Sequence, residues 1–153
     1  MKYYIVLIVF LIINFGALAI GSWLMNDGPQ TDWYLELNKA PWTPPGWVFG
    51  AAWTIIMVCF SMYMAQLFTI ENSIKVIALF TVQLLLNISW NYAFFNQHFV
   101  GIALVIITLL TLLIIYFLFA FFDRLQAKSL LLIPYIVWLV IATSLNYYIY
   151  THN

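Results

Sequence analysis

Four of the seven tryptophans, Trp33, Trp42, Trp47 and Trp53, fall between positions 33 and 53, in the stretch WYLELNKAPWTPPGWVFGAAW. Pro41, Pro44 and Pro45 stiffen the same stretch, and a charge-free apolar run follows it. Indole faces stack on flat aromatic molecules, and each indole N–H offers one hydrogen-bond donor. Further along, Gln83, Asn87 and Asn91 recur every fourth residue, with Trp90 three residues after Asn87. That spacing puts the amides on one helix face. Such amides either bond neighbouring helices or point into a cavity and donate to a ligand carbonyl or carboxylate. Trp138, Ala142 and Asn146 repeat the spacing of four, and the small Ala142 leaves room beside the indole one turn away. A proline-stiffened aromatic loop feeding such helices is the pattern of the mouth of a ligand pocket.

The elements that must position these groups are membrane spans. The chain is 66% hydrophobic and 7% charged, with mean hydropathy +1.02, outside the range of water-soluble domains. Charge-free runs cover 3–26, 40–70, 76–122 and 129–153. Some 20 apolar residues cross ~30 Å of hydrocarbon as a helix, so the run 76–122 must turn back, and Asn96-Gln97-His98 followed by Gly101 marks the turn. The expectation is an all-α integral membrane bundle forming a single domain over 1–153. Its five helices run at about 3–25, 45–69, 76–96, 99–122 and 129–150. Lys2, the apolar core and Ala17-Leu18-Ala19 imitate a signal peptide, but this run exceeds a usual signal core and is taken as the first span. With the N-terminus inside, Lys2, Lys75, Arg124 and Lys128 lie on the inner side and Lys39 alone outside, which favours N-in, C-out with the tryptophan-rich loop outside.

Several function classes drop out. Net charge is zero with no basic patch, so nucleic acid is not an expected partner. No Asp, Glu, Lys, Arg or His lies mid-span, which argues against a proton pump or ion-coupled transporter. Two histidines near helix ends and the lone Cys59 make neither a metal site nor a disulfide. Pro44-Pro45-Gly46 fixes the start of the second helix, and Gly46 with Gly50 allows close helix approach, either within the bundle or between copies. Trp53, two turns inside the membrane, is too deep for an interfacial belt and is assigned to a pocket wall. Trp23, Tyr147, Tyr148 and Tyr150 fit the belt.

These motifs, in this order, resemble the tryptophan-rich sensory protein/translocator protein family, also called peripheral-type benzodiazepine receptors. The resemblance runs from about Trp33 to the C-terminus. It is carried by Trp33-Tyr34, Lys39, Pro41-Trp42-Thr43-Pro44-Pro45-Gly46-Trp47, Trp53, Leu86-Asn87-Ile88-Ser89-Trp90-Asn91, Phe94-Phe95 and Pro134 to Tyr147. It implies a five-helix bundle, often dimeric, whose long first loop caps a pocket for porphyrins, isoquinoline carboxamides or benzodiazepines. By motif position that pocket involves Tyr34, Pro44, Trp53, Asn87, Trp90, Trp138 and Ala142. The resemblance also implies light-dependent breakdown of protoporphyrin, as ligand or substrate rather than resident cofactor, with Trp53 and Trp138 as the reactive indoles. His98 is placed in a short turn away from the loop pocket, so no axial ligand is expected and metal-free porphyrin fits better than haem. The alternative is a carrier or sensor of small hydrophobic ligands without chemistry. Short tails suit a bacterial plasma membrane.

Two departures from the family pattern stand out. Lys39-Ala40-Pro41 displaces the usual Lys-Pro by one residue. The tail from Leu145 to Asn153 holds no Lys or Arg after its tyrosines, which argues against the cholesterol-recognition segment of animal members.

Overall fold

The computed structural model describes residues 2–153. Five helices are long and apolar enough to cross a membrane, and no strand occurs among the described residues. Helix α1 spans Lys2–Leu24. A 3-10 turn at Gly28–Gln30 and the short α2, Asp32–Glu36, follow in the first loop. Helix α3 spans Gly46–Ile70, α4 Ile74–Asn91, α5 Val100–Ala120, α6 Phe122–Leu125 and α7 Ile133–His152. Helix α4 continues into a π-helical turn at Tyr92–Asn96, and a 3-10 segment at Gln126–Leu132 precedes α7.

The spans differ from the sequence expectation mainly at the fifth. Pro134 sits in the first turn of α7, where its missing amide leaves no intrahelical bond unmade, and residues 126–132 approach it as 3-10 turns rather than as part of the helix. The return between the third and fourth spans falls at Gln97–Phe99, with His98 at φ 57°. In the first loop, Thr31 caps α2 by accepting the Tyr34 amide at 3.4 Å.

The five long helices close a ring: α1 packs against α3 and α4, α4 against α5, α5 against α7, and α7 against α3. Lipid tails are as apolar as the side chains, so helix association depends on close packing and a few hydrogen bonds. Of four such bonds, two lie along seams and two reach across the ring between facing helices. Asn14 Nδ2 donates to Ser61 Oγ (2.8 Å, α1 to α3), and Gln83 Nε2 to Tyr135 Oη (2.8 Å, α4 to α7). The Tyr63 hydroxyl donates to the Phe117 carbonyl (3.0 Å, α3 to α5), and the Thr111 and Thr143 hydroxyls meet at 3.2 Å (α5 to α7). Phe60 centres the packing, touching Tyr63, Phe80, Phe117 and Tyr135 at centroid distances of 5.4–6.3 Å. Gly21 lets α1 approach α4 so closely that an added Cβ would lie 2.7 Å from Asn91 Nδ2. Gly46 and Gly50, by contrast, have no neighbour within 4 Å of the place a Cβ would take, so their close-approach face is unused within one chain.

At one end of the ring lie Glu71, Lys75, Arg124 and Lys128. Arg124 pairs with Glu71, Lys128 Nζ donates to Gln66 Oε1 at 3.0 Å, and Lys75 Nζ lies over the rings of Tyr116 and Phe121. At the other end the first loop crosses the mouth of the bundle and meets the end of α7.

Candidate functional site

Beneath the first loop lies a small aromatic cavity of about 30 Å³, lined by Tyr34 and Thr43 from the loop, Phe49 from α3, Trp90 from α4, Phe94 and Phe95 from the π-helical turn, and Ala142, Leu145, Asn146 and Ile149 from α7. Local structure explains why these side chains converge. Ala142, Leu145, Asn146 and Ile149 form one face of α7 at helical spacing. The π-helical turn after Asn91 shifts the register of α4 by one residue per turn, which brings the adjacent Phe94 and Phe95 together beneath Tyr34. Such turns are frequent at functional sites. The Phe94 and Phe95 rings meet edge to face at 4.8 Å, and Tyr34 contacts both, at 6.4 and 5.4 Å. Burial among these rings pushes the Tyr34 phenol above its ordinary pKa, because the phenolate loses its water.

Trp90 forms the wall. Its Nε1 donates to Asn146 Oδ1 at 3.1 Å, and Asn146 Nδ2 donates to the Val100 carbonyl at 3.1 Å. The indole stacks on Phe94 at 5.6 Å with an 18° tilt. The Trp90 N–H is thereby committed to the protein, and the ring is held as a packing surface. One turn below Trp90, Asn87 is buried, and its side-chain amide makes no hydrogen bond among the described residues. The floor belongs to α3 and α7. Phe49 meets the Trp138 ring edge to face at 5.1 Å, and Trp53, one turn below Phe49, meets Tyr135 at 6.0 Å. The Trp138 Nε1 is fully buried without a partner. An orphaned buried donor costs about 1–3 kcal/mol, so a side chain of this kind invites a ligand acceptor.

The sequence-assigned residues therefore separate into groups. Tyr34, Trp90 and Ala142 line the cavity directly, while Trp138, Trp53 and Asn87 adjoin it one turn deeper. Pro44 is half-buried in the loop beside Thr43 and does not line the cavity. The amide stripe divides. Gln83 bonds Tyr135, Asn91 abuts Gly21 of α1, and only Asn87 lacks a bond, because a spacing of four overshoots the 3.6-residue turn by ~40° each time. The sequence reading gave no role to Phe49 or Ile149, nor to Thr43 and Leu145, which it noted only within longer motifs. It noted Phe94 and Phe95 but assigned them no role.

His98 lies in the turn after the π-helical segment. Its turn packs against the loop, and its ring stacks on Trp33 at 3.9 Å with a 10° tilt. His98 nevertheless does not line the cavity. Among the described residues no three His, Cys, Asp or Glu side chains gather as metal ligands would.

The loop itself is strapped down. Pro41 occupies the second position of a turn closed by the Thr43 amide to the Ala40 carbonyl at 2.9 Å, and the Thr43 hydroxyl donates to the same carbonyl. The displaced proline thus serves as an ordinary turn proline. Lys39 Nζ caps α2, donating to the carbonyls of Tyr34, Leu35 and Leu37 at 2.8–3.3 Å. Trp42 Nε1 donates to Ser144 Oγ at 3.1 Å, and the Asn38 amide donates to Asn153 Oδ1 at 2.8 Å.

A five-helix membrane bundle with a tryptophan-bearing loop closed over an aromatic cavity defines a class of integral membrane proteins. The chain belongs to the TspO/MBR family, which it matches over residues 6–151. It is 36% identical over 135 residues to the tryptophan-rich protein TspO of Archaeoglobus fulgidus, covering 87% of each chain. To the tryptophan-rich sensory protein of Cereibacter sphaeroides it is 33% identical, over 76% of this chain and 73% of that one. The human translocator protein is 32% identical over 88% of this chain and 82% of its own.

Proposed function

We propose that the protein is a membrane receptor that takes a flat aromatic ligand, a metal-free porphyrin or a comparable aromatic carboxamide, into the cavity beneath the first loop. The observation that carries this reading is the combination of an aromatic box with a fully buried, unpartnered donor, the Trp138 N–H, and the amide of the buried Asn87 beside it. Stacking against Trp90, Phe94 and Tyr34 would hold the macrocycle face, and the two donors would meet its carboxylates or carbonyls. Because the cavity holds about 30 Å³ when empty, and small-molecule sites run to some 300–1,000 Å³, loading requires the loop to lift.

With porphyrin bound, the reading extends to light-dependent degradation. The excited macrocycle takes an electron from Trp53 or Trp138 and passes it to dissolved oxygen. The superoxide formed adds to the macrocycle, and the electron returns to the indole radical, so that both oxygen atoms end on the product and the indole is restored. Homodimerisation belongs to the same proposal, supported by the unused close-approach face at Gly46 and Gly50. So does a plasma-membrane location with the N-terminus inside, supported by the clustering of Lys75, Arg124 and Lys128 at one end of the bundle.

The test is illumination of the protoporphyrin complex of the wild type and of Trp53→Phe/Trp138→Phe. Conversion to a new chromophore in the wild type, lost in the variant with binding retained, supports the photochemistry. Porphyrin bound and then released unchanged by the wild type supports the carrier or sensor reading instead.

A further inference from the structure

Trp42 and Thr43 are consecutive residues, yet they engage opposite faces of α7. Thr43 lines the internal cavity beside Ala142 and Asn146, while Trp42 reaches over the outside of the helix to Ser144 and lays its ring edge on Tyr148 at 5.5 Å. The loop therefore hooks over α7 at this point. On the outer side Ser144 also borders a separate lipid-facing groove lined by Thr108, Thr111, Thr143 and Tyr147.

The two ends of the strap are held by different chemistry. Toward the π-helical turn, Trp33 stacks on His98 and abuts Phe94 at 5.7 Å, and Tyr34 is wedged against Phe94 and Phe95. Lifting that end would strip a cluster of aromatic rings from their contacts. Toward α7 the strap is held by hydrogen bonds at the exposed surface, from Trp42 to Ser144 and between Asn38 and the terminal residues His152 and Asn153. Bonds of this kind exchange with water at a net cost of about 0.5–1.5 kcal/mol each. The aromatic end is the hinge, and the α7 end is the edge that opens.

We infer that Trp42 and Ser144 form the latch that gates access to the cavity, setting the rate at which ligand enters and leaves while contacting no ligand themselves. This inference rests on the binding reading above and adds to it two positioning residues outside the pocket. Breaking the latch raises the open fraction of the loop in both the empty and the loaded protein, so association and dissociation accelerate together and affinity is preserved.

The test uses full-length protein in lipid nanodiscs, with Trp42→Phe, Ser144→Ala and the double variant. Trp42→Phe keeps an aromatic ring against Tyr148 and removes the donor. Two readouts are taken: hydrogen exchange of the Asn38 amide, which bonds Asn153 across the opening edge, without ligand, and stopped-flow association and dissociation of protoporphyrin. Loss of one hydrogen bond should speed exchange about fivefold and raise both rate constants by about the same factor, with Kd within about twofold. The double variant should match the singles, since both remove the same bond. Unchanged rates in a folded variant overturn the latch, as does a faster dissociation with weakened Kd and unaltered association, which would make Trp42 an ordinary stabiliser of the bound state. If the wild type binds no protoporphyrin, the binding reading fails, and the exchange measurement still decides the latch: accelerated exchange supports it and unaltered exchange overturns it.

Discussion

Trp90 and Asn146 face one another across α4 and α7, the indole N–H 3.1 Å from the amide oxygen. Asn146 uses its other end on the Val100 carbonyl at the start of α5, so one buried amide ties three helices and fixes the plane of the largest ring in the cavity wall. Replacing Asn146 by Leu leaves the Trp90 N–H unpaired in an apolar surrounding. The expected loss is about 1–3 kcal/mol of stability and about tenfold in protoporphyrin affinity, or ~1.4 kcal/mol. Thermal unfolding in detergent and a dark titration check the two parts.

Trp138 presents the opposite case, a buried donor with no partner. Substitution by Phe removes that donor together with some packing volume, and the two effects oppose one another. Stability of the empty protein should stay within about 1 kcal/mol of wild type, while protoporphyrin affinity falls about tenfold. A stability loss as large as that of Asn146→Leu would mean the N–H is satisfied in the resting protein.

Two glycines of α1 should respond in opposite directions. Gly16 has open space around it, and Gly16→Ala should stabilise by about 0.5–1 kcal/mol through helix propensity. Gly21→Ala drives a methyl group to 2.7 Å from Asn91 Nδ2 and should cost about 1 kcal/mol as α1 is pushed from α4. Unfolding midpoints of the two variants, measured side by side, provide the comparison.

Gln126 stands at φ 47°, ψ −122° between α6 and the 3-10 segment, a backbone conformation natural to glycine and strained for other residues. Gln126→Gly should stabilise by about 0.5–1 kcal/mol, the relief of strain exceeding the added flexibility of the unfolded chain. Its side chain lies far from the cavity, so ligand affinity should not change.

The spans were legible because charge is so scarce that its few clusters mark nearly every boundary, and the return at Gln97–Phe99 follows from a run too long for one crossing. The start of α7 was not, because the apolar run 129–150 carries no sign of where 3-10 turns give way to helix except Pro134. Helix α2 had a readable signal in Thr31-Asp32, a cap followed by an acidic first-turn residue, but five residues give no periodicity. Trp53 was read as deep because no belt explains an indole two turns into a span. The roles of Phe49 and of the Phe94-Phe95 pair were hidden, since a π-helical turn breaks the 3.6-residue register on which face assignments depend. His98 was legible as a turn residue, but its stacking on Trp33 was not, because a turn at the end of α4 can fold back over the bundle mouth and only the tertiary contact reveals it.

The central claim is that ligand occupies the space beside Ala142. Its most direct test is a dark titration with protoporphyrin, followed by tryptophan fluorescence, comparing the wild type with Ala142→Leu, whose larger side chain fills the cavity from α7. Saturable quenching in the wild type, weakened at least about tenfold in a folded Ala142→Leu protein, is the predicted result. Equal quenching in both would place the ligand elsewhere and contradict the account.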